Sequence, residues 1–186
     1  MANHEHKTYS EALDVYMAFS RTKDGQEAKC MRVVSKDATD LEILKLRCKL
    51  AGGKWRIHKT VNKRDTEKAR IWMIHKLIDF PDGGGFVDSL WRTALLQKEN
   101  IYGDKKFLLD VDTKESDKLD AVRNLTEGNL IQEVETANGY HFITKAFDTR
   151  EVCELKYVEL IRDGYVYCET VYFPPNNCNL PKRDLC

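Results

Sequence analysis

Two carboxylates lie two residues apart, directly after a run of apolar residues. Residues 106–112 read Lys-Phe-Leu-Leu-Asp-Val-Asp, and successive side chains of a strand point to opposite faces. Asp110 and Asp112 would therefore project together from one face. Two such carboxylates repel each other and are costly to desolvate, and a divalent cation such as Mg²⁺ or Mn²⁺ relieves both costs. The alternative is a solvated strand end at which the two acids only begin a turn.

A second pattern with possible chemistry follows at residues 136–141, which read Thr-Ala-Asn-Gly-Tyr-His. The Asn-Gly pair is typical of a two-residue hairpin turn, and such a turn would place Thr136 opposite His141. One predicted helix and one strand separate this hairpin from the two aspartates. Right-handed crossovers would then bring all four side chains onto one open sheet face. Alternatively, His141 is a hairpin residue that only packs on a neighbouring strand.

Length and composition bound the class of protein. The chain has 186 residues, of which 42% are hydrophobic, with 30 basic and 30 acidic residues. We expect one domain over residues 1–186, long enough to bury a core. The balanced charge argues against non-specific coating of a polyanion but allows a local basic groove. Without an apolar signal segment or a membrane-length apolar run, we expect a cytoplasmic protein with no membrane contact. The six cysteines, with no Cys-x-x-Cys pair, are expected to be reduced thiols.

Periodicity and turn signals predict an α/β (α+β) chain that forms a two-layer sandwich, with helices packed on a central mixed or antiparallel sheet. The last two strands are predicted to form a hairpin around Asp163-Gly164, and the Pro-Asp-Gly-Gly-Gly stretch at 81–85 to be a connector or lid. Residues 1–10 and 174–186 are expected to be a flexible and an irregular tail. The predicted strands are 12–20, 28–34, 54–61, 106–112, 130–136, 140–145, 157–162 and 165–173, and the predicted helices are 41–51, 66–79, 86–100, 117–125 and 148–156.

The order of these motifs resembles the catalytic core of the archaeo-eukaryotic primase superfamily, which includes primase-polymerases and the polymerase domains of bacterial end-joining ligases. The shared features are the apolar strand ending in Asp-x-Asp at 107–112 and the hairpin with Gly-x-His at 136–141, with one helix and one strand between them. Residues 56–65 further resemble the N-terminal unit of small phage-type members. At the level of motifs the resemblance covers residues 54–165.

The resemblance implies an RRM-like sheet and nucleotidyl transfer from a nucleoside triphosphate to DNA or RNA, with Mg²⁺ or Mn²⁺. Asp110 and Asp112 match the metal-binding carboxylates of the family, and His141 matches its triphosphate-contacting histidine. Asp163 is the best candidate by position for a third carboxylate, although Asp-Gly is the standard pair of a tight hairpin turn and that role is favoured. The other residues predicted to contact the nucleotide are Thr136, Asn138, Gly139 and Lys145.

Basic residues in the first half could follow a nucleic-acid backbone, with aromatic side chains beside them for base stacking. The predicted nucleic-acid contacts are Arg56, Lys59, Asn62 and Arg64, and His58 lies in the same stretch of basic residues. The alternative is a solvated amphipathic surface.

Two other functions also remain open. One is an idle core that captures a nucleotide or nucleic acid in a regulatory or counter-defence role. The other is a metal-dependent nuclease that uses the same aspartates.

Overall fold

The computed structural model describes residues 12–21, 28–35, 38–80 and 87–174. The predicted tail at 1–10, the connector at 81–85 and all but the first residue of the predicted tail at 174–186 therefore lie outside it. The strands are β1 Ala12–Arg21, β2 Ala28–Ser35, β3 Gly53–Thr60, β4 Arg64–Asp65, β5 Lys106–Val111, β6 Leu130–Glu135, β7 Tyr140–Lys145, β8 Val158–Ile161 and β9 Tyr165–Phe173. The helices are α1 Ala38–Ala51, α2 Thr66–Asp79, α3 Val87–Leu95, α4 Ser116–Leu125 and α5 Arg150–Cys153, and a 3-10 turn spans Lys98–Asn100.

The strands form two antiparallel sheets, which confirms the mixed helix and strand class but not the single central sheet. Sheet 1 has the order β2-β1-β3-β9, with β4 also paired to β1. Sheet 2 has the order β6-β7-β5-β8. On one face of sheet 1, Leu44 and Cys48 of α1 are buried against Trp55 of β3. Helices α2 and α3 cover part of the opposite face.

Strand β5 is an inner strand of sheet 2 and is buried on both sides, which explains its apolar run. Leu109 and Val111 pack on one side against α4 and α5. Leu108 packs on the other side, in a cluster with Val61 and Val166 from the segments around sheet 1. Because this second cluster contains residues of both sheets, it joins them beside β5.

The predicted hairpin around Asp163-Gly164 is wrong, because β8 and β9 belong to different sheets. β8 pairs with β5, whereas β9 pairs with β3. At the crossover the Gly164 carbonyl accepts a 3.0 Å hydrogen bond from the N–H of Val61. A Cβ atom at position 164 would lie 2.7 Å from the side chain of Ile161. Asp-Gly therefore marks a change of direction here, but it does not identify the strand that pairs next.

A buried polar cluster of Asn62, Arg64 and Asp163 lies at this crossover. The Arg64 guanidinium, 1% exposed, donates to both carboxylate oxygens of Asp163 at 3.0 and 2.8 Å. The Asn62 amide donates to Asp163 at 3.2 Å, donates to the Lys106 carbonyl at 3.1 Å and accepts from the Lys106 N–H at 2.7 Å. The cluster thus joins the end of β3, the start of β5 and the passage from β8 to β9.

Two coarse expectations can be compared with the described part of the chain. Its four cysteines, Cys30, Cys48, Cys153 and Cys168, are free thiols. None of the helices described there has the length and apolar character needed to cross a membrane.

Replacing Asp163 by alanine should lower the free energy of unfolding by about 3–5 kcal/mol, because the Arg64 guanidinium would remain buried without its carboxylate. Urea denaturation of the purified variant measures this loss. Asp148→Ala is the matched control, because Asp148 pairs with Arg150 on the surface and its loss should barely move the midpoint. Equal midpoints for the two variants would contradict a structural role for Asp163.

Candidate active site

Strand β5 positions the two aspartates at the opening between the sheets. Asp110 lies on β5 with its side chain 33% exposed. Asp112 follows the last residue of β5, and its N–H donates to the Tyr157 carbonyl at 3.0 Å, which extends the strand pairing by one step. Since Leu109 and Val111 are buried on the other face, both carboxylates point into the same cavity.

His141 is the direct partner of Asp110 on the neighbouring strand β7. The N–H of Tyr167 donates to its Nδ1 at 3.1 Å, so Nδ1 carries a lone pair and the neutral ring holds its proton on Nε2. Nε2 is 3.4 Å from a carboxylate oxygen of Asp110, which is too long for a strong hydrogen bond. This N–H is therefore a donor that a ligand in the cavity can use.

The hairpin between β6 and β7 has a four-residue loop, so the predicted pairing of Thr136 with His141 is wrong. Val134 lies opposite His141 instead. Thr136 closes the loop: its N–H donates to the Gly139 carbonyl at 2.8 Å, and its hydroxyl oxygen accepts from the Gly139 N–H at 3.1 Å. Its hydroxyl hydrogen is left to donate elsewhere, and Thr136 still lines the cavity.

Gly139 is required because the hairpin backbone lies directly on the end of β5. A Cβ atom at this position would be 1.8 Å from the Val111 carbonyl oxygen and 2.8 Å from the Thr113 nitrogen. The sequence pattern assigned this glycine to the turn conformation, whereas the structure assigns it to a close contact between backbones. That contact fixes the distance between the hairpin and the two aspartates.

Sheet 1 supplies the opposite wall of the cavity, through Arg56 and His58 of β3 and through β9. Sequence reasoning included Arg56 and His58 only as general nucleic-acid contacts, and it missed Tyr167 and Thr170, because the packing of one sheet on the other cannot be read from local patterns. The cavity has a volume of about 210 Å³ and is lined by Arg56, His58, Asp110, Asp112, Thr136, Ala137, Asn138, His141, Tyr167 and Thr170.

His58 is held between two aromatic rings in edge-to-face contact, with centroid distances of 5.6 Å to Phe19 and 5.8 Å to Tyr167. Burial is the main cause that lowers its pKa, and the neighbouring His141 lowers it further, whereas a hydrogen bond with the Arg56 backbone partly opposes the shift. Its buried Nδ1 has no hydrogen-bond partner among the described residues. His58 is therefore a neutral part of the wall.

Several predicted site residues lie elsewhere. Lys145 ends β7 opposite Lys106, four residues from His141 and thus about 13 Å along the strand. Lys59 alternates with His58, so it points to the other face of sheet 1. Asn62 and Arg64 are buried in the polar cluster and cannot contact a nucleic acid.

The third carboxylate proposed from the sequence is also engaged elsewhere, because Asp163 binds Arg64. The structure offers Glu159 instead: it is exposed and lies directly opposite Asp110 on β8, so it projects from the same face. Sequence reasoning missed Glu159 because it paired β8 with β9. Finding Glu159 would have required the knowledge that β8 pairs with β5, and in which register.

In the described ranges, no three His, Cys, Asp or Glu side chains converge on a metal position. Asp110 and Asp112 still fit Mg²⁺ or Mn²⁺, because Mg²⁺ is commonly held by one or two carboxylates together with substrate phosphates and water. The residues that line this cavity include two carboxylates, Asp110 and Asp112, but only one arginine or lysine, Arg56. An added cation would be stabilised there.

Comparison of the chain with protein-family models, with curated proteins and with solved structures finds no match. The resemblance to the primase superfamily therefore remains one of motifs and their order. Functional conclusions rest on the cavity between the two sheets.

Replacing Gly139 by alanine should destabilise the fold by about 1–3 kcal/mol, because the added methyl group would displace either the hairpin or the end of β5. Chemical denaturation measures the loss. Asn138→Ala, in the same loop, is the control and should be close to wild type. If both variants unfold at the same denaturant concentration, the close contact at Gly139 does not exist.

His58 should make the fold sensitive to mild acid. Its folded pKa lies below the value of about 6.5 of a free histidine, so below that pH the unfolded chain binds a proton that the folded chain does not. The stabilising contribution is complete above pH 6.5 and is lost as the pH falls toward the lowered folded pKa. His58→Phe keeps a ring between Phe19 and Tyr167 without the titration.

The free energy of unfolding, measured from pH 7.5 to 5, should therefore fall more steeply for wild type than for His58→Phe. Parallel curves for the two proteins would show that His58 titrates alike in the folded and unfolded states.

Proposed function

We propose that this protein is a metal-dependent nucleotidyltransferase that adds a nucleotide from a nucleoside triphosphate to a nucleic-acid strand. One observation carries the proposal: Asp110, Asp112 and the Nε2–H of His141 meet in one cavity, with Arg56 on its opposite wall. Carboxylates suited to a divalent cation thus lie beside donors suited to phosphate oxygens. This is the combination that phosphoryl-group chemistry requires.

Asp110 and Asp112 would hold Mg²⁺ or Mn²⁺. When bound, the metal supplies neutralisation of phosphate charge and orientation of the attacking and leaving oxygens. Glu159 replaces Asp163 in the role of the third carboxylate, because its register brings it next to Asp110. It is the residue on which catalytic competence would depend.

The other residues of the cavity bind and orient the triphosphate. His141 donates from Nε2 to a phosphate oxygen, and the Thr136 hydroxyl is a second donor. Arg56 supplies the cation that sequence reasoning assigned to Lys145. At about 210 Å³ the cavity is smaller than sites that enclose a whole small molecule. It therefore suits a phosphate chain, with the base outside.

The topology of sheet 2 adds support. Its elements follow the order β-α-β-β-α-β with the strand order β6-β7-β5-β8, an order of elements found in ferredoxin-like folds and in the RRM-like sheets that the primase resemblance implies. The acidic strand β5 and the histidine strand β7 are neighbours in such a sheet.

The second candidate is an idle core that binds a nucleotide without transferring it. The observation in its favour is that no third side chain converges with the two aspartates in the described residues. The two candidates share the binding site and differ only in whether Glu159 completes it.

Labelled nucleotide should be incorporated into an oligonucleotide in the presence of Mn²⁺. Asp112→Ala should reduce incorporation on the order of 100-fold or more, and Glu159→Gln about 10-fold or more, because each removes a carboxylate from the metal position. His141→Ala should raise the KM for the triphosphate more than it lowers kcat. Glu154→Gln, an exposed substitution directly after α5 and outside the cavity, is the control.

The length of the oligonucleotide after this assay, together with the melting temperature of the protein, separates the alternative functions. Unchanged oligonucleotide together with a triphosphate-dependent rise in melting temperature would favour the idle core, and shortened oligonucleotide would favour the nuclease. If neither incorporation nor a rise in melting temperature occurs, the proposed function is refuted.

A further inference from the structure

A row of side chains crosses sheet 1 on the face that lines the candidate site. Cys30 of β2, Phe19 of β1, Arg56 of β3 and Thr170 of β9 are successive direct partners in the strand register. Directly opposite residues of antiparallel strands project from the same face. We call these four residues the cross-strand row.

Helices α2 and α3 leave most of this row exposed. They pack on Val15 and Met17, which lie further along β1, and Phe19 packs against the same cluster. In the row itself, Cys30, Arg56 and Thr170 are exposed, and Phe19 is half-buried. The row is therefore a strip of accessible surface beside the two helices.

A second cavity, of about 390 Å³, lies at the β2 end of the row. We call it the arginine cavity, because Arg32 of β2, Arg47 of α1 and Arg92 of α3 line it together with Cys30 and Met31. No acidic residue is among these described lining residues. Three guanidinium groups from three different elements thus face one opening, a composition suited to a polyanion.

The cross-strand row connects this cavity with the candidate active site. Cys30 lines the arginine cavity, while Arg56 and Thr170 line the cavity of the two aspartates. From Cys30 to Thr170 there are three interstrand steps, or about 14 Å. An extended chain with several negative charges could contact both cavities at once.

Charge is also separated between the two faces of sheet 1. Arg32 and Arg56 lie on the face of the row. In the described residues of β1, β2, β3 and β9, the carboxylates are those of Asp14 and Glu169, and both lie on the other face. Asp14 alternates with Val15 along β1, and Glu169 pairs with Lys45 of α1 at 2.8 Å.

We propose that single-stranded nucleic acid lies along the cross-strand row, with its phosphates held by Arg32 and Arg47 and one end at Asp110 and Asp112. Sites for single strands combine a positive groove with aromatic side chains on which bases stack, and Phe19 is in the middle of the row. An acidic peptide would match the charge but would gain nothing from this ring. The inference rests on the proposed function for the identity of the strand as substrate.

Binding of a fluorescent single-stranded oligonucleotide, as DNA and as RNA, tests the proposal by anisotropy over a range of salt concentrations. The double variant R32E/R47E should bind the oligonucleotide at least about 10-fold more weakly than wild type. The slope of log affinity against log salt concentration should also be smaller in magnitude by about 1–2, because fewer counterions are released. Lys49→Glu, also on α1, is the control. Lys49 is exposed and is not among the residues that line the arginine cavity, so this variant should bind the oligonucleotide as tightly as wild type.

Alkylation of Cys30 tests where the oligonucleotide binds without changing any charge of the protein. Bound oligonucleotide should slow the alkylation of Cys30, but not that of the exposed Cys153, as read by peptide mass spectrometry. Equal alkylation of Cys30 with and without oligonucleotide would overturn the proposal. So would wild-type affinity of R32E/R47E, absence of any binding by wild type, or equal competition by polyglutamate.

Failure of this inference can be told apart from failure of the proposed function. The rise in melting temperature with Mn²⁺ and nucleoside triphosphate should be the same in R32E/R47E as in wild type. If that rise persists while the oligonucleotide does not bind along the row, the inference alone fails. If the oligonucleotide binds as expected but the triphosphate has no effect, the proposed function alone fails.

Discussion

The ion pair between Arg64 and Asp163 is the interaction on which the arrangement of the two sheets depends. Both residues are removed from water, and a buried charge is tolerated only when its partner is close and well oriented. The bidentate geometry meets that condition, and the Asn62 amide extends the cluster to the backbone of Lys106 at the start of β5. One cluster therefore sets the position of β5 relative to sheet 1. Apolar packing of Leu108 against Val61 and Val166 fills the space beside it.

The candidate site follows from that arrangement. Sheet 2 alone would present Asp110, Asp112 and His141 on an open surface, where water screens charge. Packing against sheet 1 turns the surface into a cavity and adds Arg56 opposite the carboxylates. The backbone N–H of Tyr167, also from sheet 1, sets the proton of His141 on Nε2. The chemistry proposed here is thus a property of both sheets together.

Much of this could be predicted from local sequence, because alternation and turn residues report directly on strands. The strand that ends at the two aspartates, the helices α2 and α4 and the β6–β7 hairpin follow from such signals. What failed depends on pairing between distant segments. The pairing of β9 with β3, the burial of Asn62 and Arg64, and the position of Glu159 opposite Asp110 are all set by which strands meet. Thr136 failed for a different reason: its side chain closes a longer loop than Asn-Gly alone predicts.

We propose that Asp110, Asp112 and His141 together form one site for a metal and a triphosphate. A crystal structure with Mn²⁺ and a non-hydrolysable nucleoside triphosphate tests it most directly, because anomalous scattering locates the manganese. We expect Mn²⁺ about 2.1 Å from carboxylate oxygens of Asp110 and Asp112, with a phosphate oxygen within hydrogen-bond distance of His141 Nε2. Manganese bound elsewhere, or a triphosphate held away from His141, would contradict it.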